Sequence, residues 1–336
     1  MFDFLKEASP ELMSWLVNEG SSNREKADTV ILKEGVISEH VLVVLEGEVA
    51  INTTDQNGDQ QCLAVLKQGT IIGEMSWLEQ RPAVANVVTQ TTSNVLYLKF
   101  ESLDLLSKVK PGLAAEWQRL IAKKLSTQIQ SQNAWIHRYE GPGADIEPLR
   151  KVLILFAELD DEDVDTLARL GALRRIQPAG TLIQQGQPVP SLFLILAGEA
   201  DILVEIDGIK KKVGSSRRGE LLGELTLLSN EIKGATATVH SVDGMELLEL
   251  DKIALENTLL EKPDLANRFF RSLSCMLSQR SRDQLLARQL ATRSQGAESS
   301  DDNDELNLNQ LGGINRAGQR FNTLCRKFQS DGSVGV

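Results

Sequence analysis

Short apolar runs broken by glycine make up most of the chain. The segments VLVVLEGEVAINT and LFLILAGEADILV are runs of Val, Ile and Leu interrupted by Gly47 and Gly198. Such runs are typical of consecutive strands joined by a tight turn. Further strands are predicted at residues 84–91, 94–100, 235–242 and 245–251. Many short strands at this spacing favour a sandwich or a jelly-roll barrel.

This strand pattern occurs twice, at an offset of about 150 residues. Four glycines of the first copy match four of the second, and each pair has similar neighbours. The pairs are Gly35 and Gly186, Gly47 and Gly198, Gly69 and Gly219, and Gly73 and Gly223. Glycine is expected where the backbone needs a positive φ or where another segment approaches closely. The repeat therefore indicates two domains of one fold and not a solenoid.

A long amphipathic helix is predicted to close each copy. Residues 111–139 begin with a proline, which suits a helix entry, and are followed by the sequence GPG at 141–143. Residues 263–291 repeat this design. The apolar stripe of each helix can pack on its own domain or pair with a second subunit. A homo-oligomer is therefore one interpretation of these helices.

The composition changes near the end of the chain. Residues 294–310 are polar and acidic without an apolar period, which predicts a disordered spacer. Residues 314–328 carry Phe321, Leu324 and Phe328 at helical spacing beside basic residues. This segment is either a short basic amphipathic tail that docks on a partner or an inert terminus. The predicted domains are then 1–140 and 148–291, with 294–336 outside both.

Charge and cysteine content narrow the function classes. The formal net charge of -11 argues against nucleic acid as the main partner. Cys62, Cys275 and Cys325 are far apart without metal or redox spacing, so we expect free thiols in a reducing compartment. The first residues lack the basic start of a signal peptide, and no apolar run approaches the length of a membrane helix. We therefore expect a cytoplasmic protein without membrane insertion.

Catalytic motifs are missing from the sequence. It contains no Ser-His-Asp order, no Gly-rich phosphate loop and no HExxH motif, and His40, His137 and His240 are isolated. A helix-turn-helix is also missing after the second long helix. The sequence therefore predicts neither an enzyme nor a metal or resident cofactor, and it does not favour a transcription regulator.

Both copies resemble the cyclic-nucleotide-binding domain of protein kinase A regulatory subunits, catabolite-activator-type regulators and gated channels. The matched glycines and the pairs Gly73-Glu74 and Gly223-Glu224 carry this resemblance, which covers roughly residues 10–140 and 148–291. It implies a mainly β chain with flanking helices, in which two tandem jelly-roll barrels are each closed by C-terminal helices. It also implies action on a partner protein in trans. The amphipathic patterns of 314–328 and of the helices at 111–139 and 263–291 make these segments the expected contact surfaces.

The resemblance further implies a cyclic-nucleotide pocket in each copy. There a helix N-terminus and an arginine hold the cyclic phosphate, and a glutamate accepts from the ribose 2′-hydroxyl. In the first copy the implied residues are Gly73, Glu74, Met75, Ser76, Pro82, Ala83 and Asn86. In the second copy they are Gly223, Glu224, Leu225, Thr226, Ala235 and Thr238.

The family arginine is absent from both copies. Ala83 follows Pro82 where arginine belongs, and Gly234 or Ala235 stands at that place in the second copy. Nearby, Arg81 and Lys233 are either solvated loop charges or substitute cations for the pocket. A charge-assisted hydrogen bond contributes about 1.5–3 kcal/mol, and about 1.4 kcal/mol is tenfold in affinity. We therefore expect cAMP or cGMP to bind at least about ten- to a hundredfold more weakly than in the family.

Two functions remain open at this point. One is a non-catalytic regulatory or scaffolding protein with weak or no binding of cAMP or cGMP. The alternative is a sensor of a cyclic or modified nucleotide that regulates a partner protein. The missing arginines favour the first function, whereas the retained Glu74 and Glu224 favour the second. Both glutamates have a structural explanation too, because negative charge stabilises a helix N-terminus.

Overall fold

The computed structural model describes residues 3–54, 60–136, 151–206, 208–228, 234–293 and 308–330. The chain divides into two compact units. The first comprises Met1–Gly141 with Leu277–Asp301, and the second comprises Pro142–Met276 with Asp302–Val336. The helix predicted at 263–291 is thus divided between the units after Met276, whereas the sequence placed all of it in the second domain.

The first unit contains two antiparallel sheets with helices before and after them. Its helices are α1 (Phe4–Glu7), α2 (Pro10–Glu19), α3 (Glu74–Glu79), α4 (Phe100–Val109) and α5 (Pro111–Ile136). Its strands are β1 (Ser21–Glu25), β2 (Val30–Leu32), β3 (His40–Glu46), β4 (Glu48–Thr54), β5 (Gln60–Lys67), β6 (Ile71–Ile72), β7 (Asn86–Thr89) and β8 (Ser93–Lys99). One sheet has the order β1-β8-β3-β6 and the other β2-β7-β4-β5.

The core of the first unit lies between these two sheets. Inward-facing residues of both sheets form one buried cluster, which comprises Leu42, Val44, Val49, Ile72, Val87 and Val95. Helix α2 begins at a Ser9 cap, whose hydroxyl accepts from the N–H of Leu12 at 3.2 Å. The same hydroxyl donates to Glu116 of α5 at 2.8 Å, and this bond ties the N-terminal helices to the long helix.

The second unit repeats this plan with longer strands. Its helices are α6 (Lys151–Glu158), α7 (Asp161–Leu170), α8 (Glu224–Leu228), α9 (Lys252–Glu261), α10 (Pro263–Arg293) and α11 (Leu308–Ser330). Its strands are β9 (Ala172–Ile176), β10 (Thr181–Ile183), β11 (Ser191–Ile206), β12 (Ile209–Arg217), β13 (Leu221–Leu222) and β14 (Thr238–Asp251). The main order is β10-β14-β11-β12, with β13 on β11 and β9 on β14.

The predicted fold class is confirmed, because both units combine antiparallel strands with flanking helices in a jelly-roll-like arrangement. The strands predicted at 84–91 and 94–100 are β7 and β8, whereas those predicted at 235–242 and 245–251 form the single strand β14. The eight matched glycines all have positive φ. Among the described residues, no helix combines the length and apolar character that a membrane crossing needs.

Helix α11 differs from the predicted tail outside both domains. It packs on α6 and α7 of its own unit, and Phe321 and Leu324 are 3% and 1% exposed. The rings of Phe321 and Phe156 meet edge-to-face at 5.1 Å, and the guanidinium of Arg218 lies 4.9 Å from the Phe321 ring centre. The predicted amphipathic face exists, but it fills a core because α6 and α7 leave an apolar surface for it. Of the predicted spacer, residues 294–307 lie outside the described residues.

Candidate functional site

The first pocket segment, residues 73–86, opens with a turn that requires glycine. Gly73 has φ +82° and precedes α3 as its N-cap. A Cβ atom at this position would lie 2.9 Å from the carbonyl oxygen of His40, so a side chain is excluded by both conformation and space. Within α3, Met75 and Ser76 are buried, and the indole of Trp77 donates to Asp104 of α4 at 3.2 Å. The turn and its helix are therefore fixed against the rest of the unit.

Glu74 has a cationic partner within its own unit. One oxygen of its carboxylate contacts Nζ of Lys124 on α5, and the two side chains are 2% and 15% exposed. An ion pair this deeply buried is tolerated because each charge compensates the other. The glutamate implied to face a ribose hydroxyl therefore already holds a donor from the chain itself.

Ala83 stands where the family arginine is implied, and its backbone is bonded to a neighbouring turn. Its N–H donates to Val36 at 3.1 Å, and its carbonyl accepts from Gly35 at 2.9 Å. Its side chain is 6% exposed. Pro82, beside it, is exposed. The methyl group of Ala83 supplies neither charge nor hydrogen bond to a phosphate.

Ala235 makes the same two backbone bonds in the second unit. Its N–H donates to Gln187 at 2.8 Å, and its carbonyl accepts from Gly186 at 2.8 Å. Since Gly186 matches Gly35 in sequence, these bonds identify Ala235, and not Gly234, as the counterpart of Ala83. Alanine therefore stands in both units at the position for which the resemblance implies the arginine. The loop residue Lys233 lies outside the described residues.

The side chains of Asn86 and Thr238 each accept a hydrogen bond from the backbone N–H of the residue that precedes a matched glycine. The amide oxygen of Asn86 accepts from the N–H of Glu34 at 3.0 Å, and Thr238 accepts from the N–H of Gln185 at 3.1 Å. The Glu34 carboxylate also accepts from the amide of Asn86 at 3.3 Å. The same carboxylate accepts from the hydroxyl of Thr53 at 3.5 Å. The first pocket thus carries a carboxylate where the second carries an amide, a difference that the sequence interpretation did not include.

The second pocket segment, residues 223–238, repeats the Gly-Glu turn. Gly223 has φ +82° and Glu224 is buried. The hydroxyl of Thr226 donates to the carbonyl of Gly223 at 2.9 Å, and Leu225 beside it is half-buried. Nζ of Lys252, at the start of α9, donates to Thr226 and to the carbonyl of Val189. These bonds attach α8 to α9.

The surroundings of Lys252 shift its pKa. Burial lowers its pKa from 10.5 to about 8, and the nearby carboxylates of Glu224 and Glu256 oppose that shift. A lysine with this pKa loses part of its charge in mildly alkaline solution. We therefore expect the charge at this contact between α8 and α9 to change in that pH range.

Glu79 and Arg282 form a second buried ion pair in the first unit, at the end of α3. Nε of Arg282 lies 2.5 Å from one oxygen of Glu79, and the hydroxyl of Ser278 donates to the other. Nη1 of Arg282 donates to the carbonyl of Pro82 at 3.2 Å. Burial raises the pKa of Glu79, while Arg282, Ser278 and the guanidinium of Arg81 act to lower it. Ser278 and Arg282 stand in the polar stretch SQRSRDQ of α10, at 278–284, where nothing in the sequence singles them out as partners of Glu79.

Among the described residues, no group of three or more His, Cys, Asp or Glu side chains is arranged to hold a metal ion. The residues implied for each pocket lie in two places: those of the Gly-Glu turn open α3 or α8, whereas Ala83, Asn86, Ala235 and Thr238 bond the turns at Gly35 and Gly186. Gly73, Glu74 and Ser76 lie in the turn that opens α3, and Gly223, Glu224 and Thr226 lie in the turn that opens α8. Of the two implied substitute cations, Arg81 acts electrostatically on Glu79.

Comparison with known proteins places these features in a family. The model of the cyclic nucleotide-binding domain matches residues 24–108 and 173–262, together more than half of the chain. The cGMP-dependent protein kinase egl-4 of Caenorhabditis briggsae is 24% identical over 252 residues, which are 74% of this chain and 29% of that protein. The cAMP-dependent protein kinase regulatory subunit of Mucor circinelloides is 22% identical over 79% of this chain and 54% of its own. The chain thus spans about half or less of these curated relatives.

Two solved structures align with much of the chain at low TM-scores. The regulatory domain of Toxoplasma gondii PKA with cAMP is 17% identical, covers 83% of this chain and 92% of its own, and has a TM-score of 0.32. The regulatory subunit of a cAMP-independent protein kinase A from Trypanosoma brucei is 18% identical, covers 76% and 86%, and has a TM-score of 0.29. Because the family model matches more than half of the chain, the chain belongs to the cyclic nucleotide-binding domain family. It carries two of these domains in tandem.

Proposed function

We propose that this protein is a non-catalytic regulatory or scaffolding protein that acts on a partner in trans and binds cAMP or cGMP weakly or not at all. The observation that carries the proposal is the pair Ala83 and Ala235. Both stand at the implied position of the phosphate arginine, with matching backbone bonds to the neighbouring turn. Neither can supply the charge-assisted hydrogen bonds that a cyclic phosphate requires.

The charges of the first pocket support the same conclusion. The Glu34 carboxylate accepts a hydrogen bond from Asn86, three residues after Ala83, and Glu74 forms an ion pair with Lys124. A phosphate brought to this segment meets negative charge without the arginine that would offset it, and like charges at close range cost several kcal/mol. The ribose hydroxyl must in addition compete with the Lys124 ammonium for Glu74.

Action in trans is supported by the kind of relative that the chain matches. Two of the similar proteins, from Mucor circinelloides and Schizosaccharomyces pombe, are cAMP-dependent protein kinase regulatory subunits. We propose that the partner is bound through exposed residues of 314–328 or through the helices at 111–139 and 263–291, which also offer a surface for a homo-oligomer. We further propose a cytoplasmic location.

A thermal-shift experiment tests the absence of ordinary nucleotide binding. A ligand with a micromolar Kd, added at about 1 mM, stabilises the native state by about 4 kcal/mol. We expect 1 mM cAMP or cGMP to leave the melting temperature nearly unchanged (about 1 °C or less). A shift of several degrees contradicts the proposal and implicates Arg81 or Lys233 as the pocket cation.

A second candidate is a sensor of a modified nucleotide. The observation in its favour is the burial of both Glu74 and Glu224, at 2% and 4% exposure, in the first turn of α3 and α8. Their carboxylates suit a ligand that has sugar hydroxyls and no phosphate that requires an arginine. The same thermal-shift assay with nucleosides, cyclic dinucleotides and cyclic mononucleotides distinguishes this candidate, because only a sensor is stabilised by one member of the set.

A further inference from the structure

The loop that carries Ala83 is held at both ends within the first unit. Helix α3 stops at Gln80, which has φ +53° and donates from its side chain to Trp77 at 2.8 Å. On the other side, Ala83 is bonded to the turn at Gly35 and Val36. The piece between these ends contains Arg81 and Pro82, and the side chain of Arg282 reaches it.

Arg282 connects the end of α3 to this loop. Its Nε lies 2.5 Å from the Glu79 carboxylate, and its Nη1 lies 3.2 Å from the Pro82 carbonyl. One planar guanidinium therefore fixes the distance between the last helical residue and the residue before Ala83. A lysine in its place has a point charge and cannot donate in two set directions.

The connection is buried on both sides. The side chains of Arg282 and Glu79 are 7% and 2% exposed, and the hydroxyl of Ser278 donates to the second oxygen of Glu79. Nη2 of Arg282 is buried without a hydrogen-bond partner among the described residues. Buried charges of this kind persist only as a pair, because removing one leaves the other uncompensated. The pair is therefore a rigid constraint and not an exchangeable surface contact.

We infer that Arg282 is a positioning residue that holds the first pocket segment in one conformation without a bound anion. In a loop that binds a phosphate, the guanidinium that orders the loop belongs to the loop itself. Here the guanidinium comes from Arg282 of α10 and holds the loop directly. The inference rests on the proposed function, since it explains how the segment keeps its conformation when cAMP and cGMP bind weakly or not at all.

Hydrogen exchange in the full-length protein tests the inference. In Arg282→Gln, we expect the backbone amides of residues 80–86, except Pro82, which has none, to exchange at least about tenfold faster than in the wild type. Lys108→Gln is the matched control: it removes one positive charge from an exposed position of α4 in the same unit. The control should exchange within about twofold of the wild type at residues 80–86. Equal exchange in Arg282→Gln and Lys108→Gln overturns the inference.

Two further variants separate positioning from general stability. Arg282→Lys restores a charge for Glu79 but not the second directed bond, so its loop should exchange at a rate between those of the wild type and Arg282→Gln. The double variant Glu79→Gln with Arg282→Gln leaves no unpaired charge and should fold even if Arg282→Gln does not. Its loop should still exchange about tenfold faster, because the bond to Pro82 is gone. A protected loop in the double variant overturns the inference.

A pH profile gives an independent readout. Burial raises the pKa of Glu79, so the folded state is favoured at low pH and loses stability as the pH rises through that pKa. Arg282 and Arg81 are the charges that face Glu79 and oppose this shift, and Ser278 donates to it. Arg282→Gln should therefore extend the loss of stability to higher pH, and the double variant should abolish it. An unchanged profile in Arg282→Gln overturns the inference, whereas cAMP binding by the wild type contradicts only the proposed function.

Discussion

The Gly-Glu turn of the first unit and that of the second have the same backbone and different side-chain partners. Gly73 and Gly223 both have φ +82°. Glu74 is paired with Lys124 of α5. In the second unit, Lys252 of α9 lies close enough to Glu224 to feel its charge, yet its ammonium bonds Thr226 and a backbone carbonyl. The glycines thus set the shape of each turn, while the flanking helices decide how its charge is compensated.

The loops after these turns differ in a similar way. Residues 80–82 connect α3 to Ala83, whereas residues 229–234 connect α8 to Ala235. The short loop is held by Arg282 through Pro82. At the far end, a backbone N–H bonds Asn86 in the first unit and Thr238 in the second, but only the first unit adds a carboxylate, that of Glu34 on Asn86. Two copies of one fold therefore offer different electrostatic surroundings at equivalent backbone positions.

The units also differ in what covers their leading helices. In the first, Phe4 of α1 packs edge-to-face on Trp117 of α5 at 5.5 Å. In the second, α11 covers α6 and α7, and Arg320 pairs with Asp161 at 2.8 Å. A segment from outside the repeat thus became part of one unit and not of the other.

Deleting residues 308–336 should produce the largest difference between the units. Truncating one large buried side chain costs about 3–5 kcal/mol, and α11 contributes both Phe321 and Leu324, so we expect at least about 5 kcal/mol of lost stability. In a hydrogen-exchange measurement, α6 should lose protection while β3 keeps it. The point variant Phe321→Ala should reproduce most of the loss, whereas Gln319→Ala, at an exposed position of α11, should not. Equal protection of α6 with and without the deletion would show that α11 is dispensable.

The two pocket lysines should differ by a smaller amount. Lys124→Met leaves Glu74 buried and uncompensated, which should cost about 3 kcal/mol in urea unfolding. Lys252→Met removes hydrogen bonds of a half-buried amine and should cost about 1 kcal/mol. Adding Glu74→Gln to Lys124→Met should recover much of the first loss. If both lysine variants lose the same stability, the proposed difference in charge compensation is wrong.

The smallest expected effect concerns restored nucleotide binding. Ala83→Arg should raise cAMP affinity about tenfold, because the new guanidinium sits on a loop of fixed length beside Pro82. Ala235→Arg should raise it less, since the connection from α8 to Ala235 is longer than the connection from α3 to Ala83. Isothermal titration calorimetry of both variants and of the wild type measures this. Equal gains would mean that the difference between the two loops does not matter for phosphate binding.

Local sequence features predicted the parts of this structure that depend on neighbouring residues. The matched glycines predicted the tight turns, and the resemblance that the Gly-Glu pairs carry implied a helix at each pair, where α3 and α8 begin. The absence of arginine at Ala83 could be read directly. Helix α5 was predicted from its entry proline and apolar period. In each case the physical cause, a positive φ or an amphipathic face, acts within a few residues.

What could not be predicted depends on residues distant in sequence. Lys124 lies 50 positions from Glu74, and Glu34 lies 52 positions from Asn86. Neither pair has a period or a motif, since an ion pair needs only two groups to meet after folding. The prediction that residues 314–328 lie outside both domains was wrong for the same reason. The sequence showed the amphipathic face of this segment, but not the surface of α6 and α7 on which it packs.

The contact between Glu79 and Arg282 has a consequence for the order of events during synthesis. The two residues are 203 positions apart in the chain. At ordinary elongation rates, the ribosome needs about 10–40 s to add that many residues. For this time Glu79 has no Arg282 to pair with, and the nascent first unit carries a carboxylate that it can bury only in protonated form or leave in water. The last step in building the first unit therefore waits until the strands of the second unit and the first part of α10 have been made.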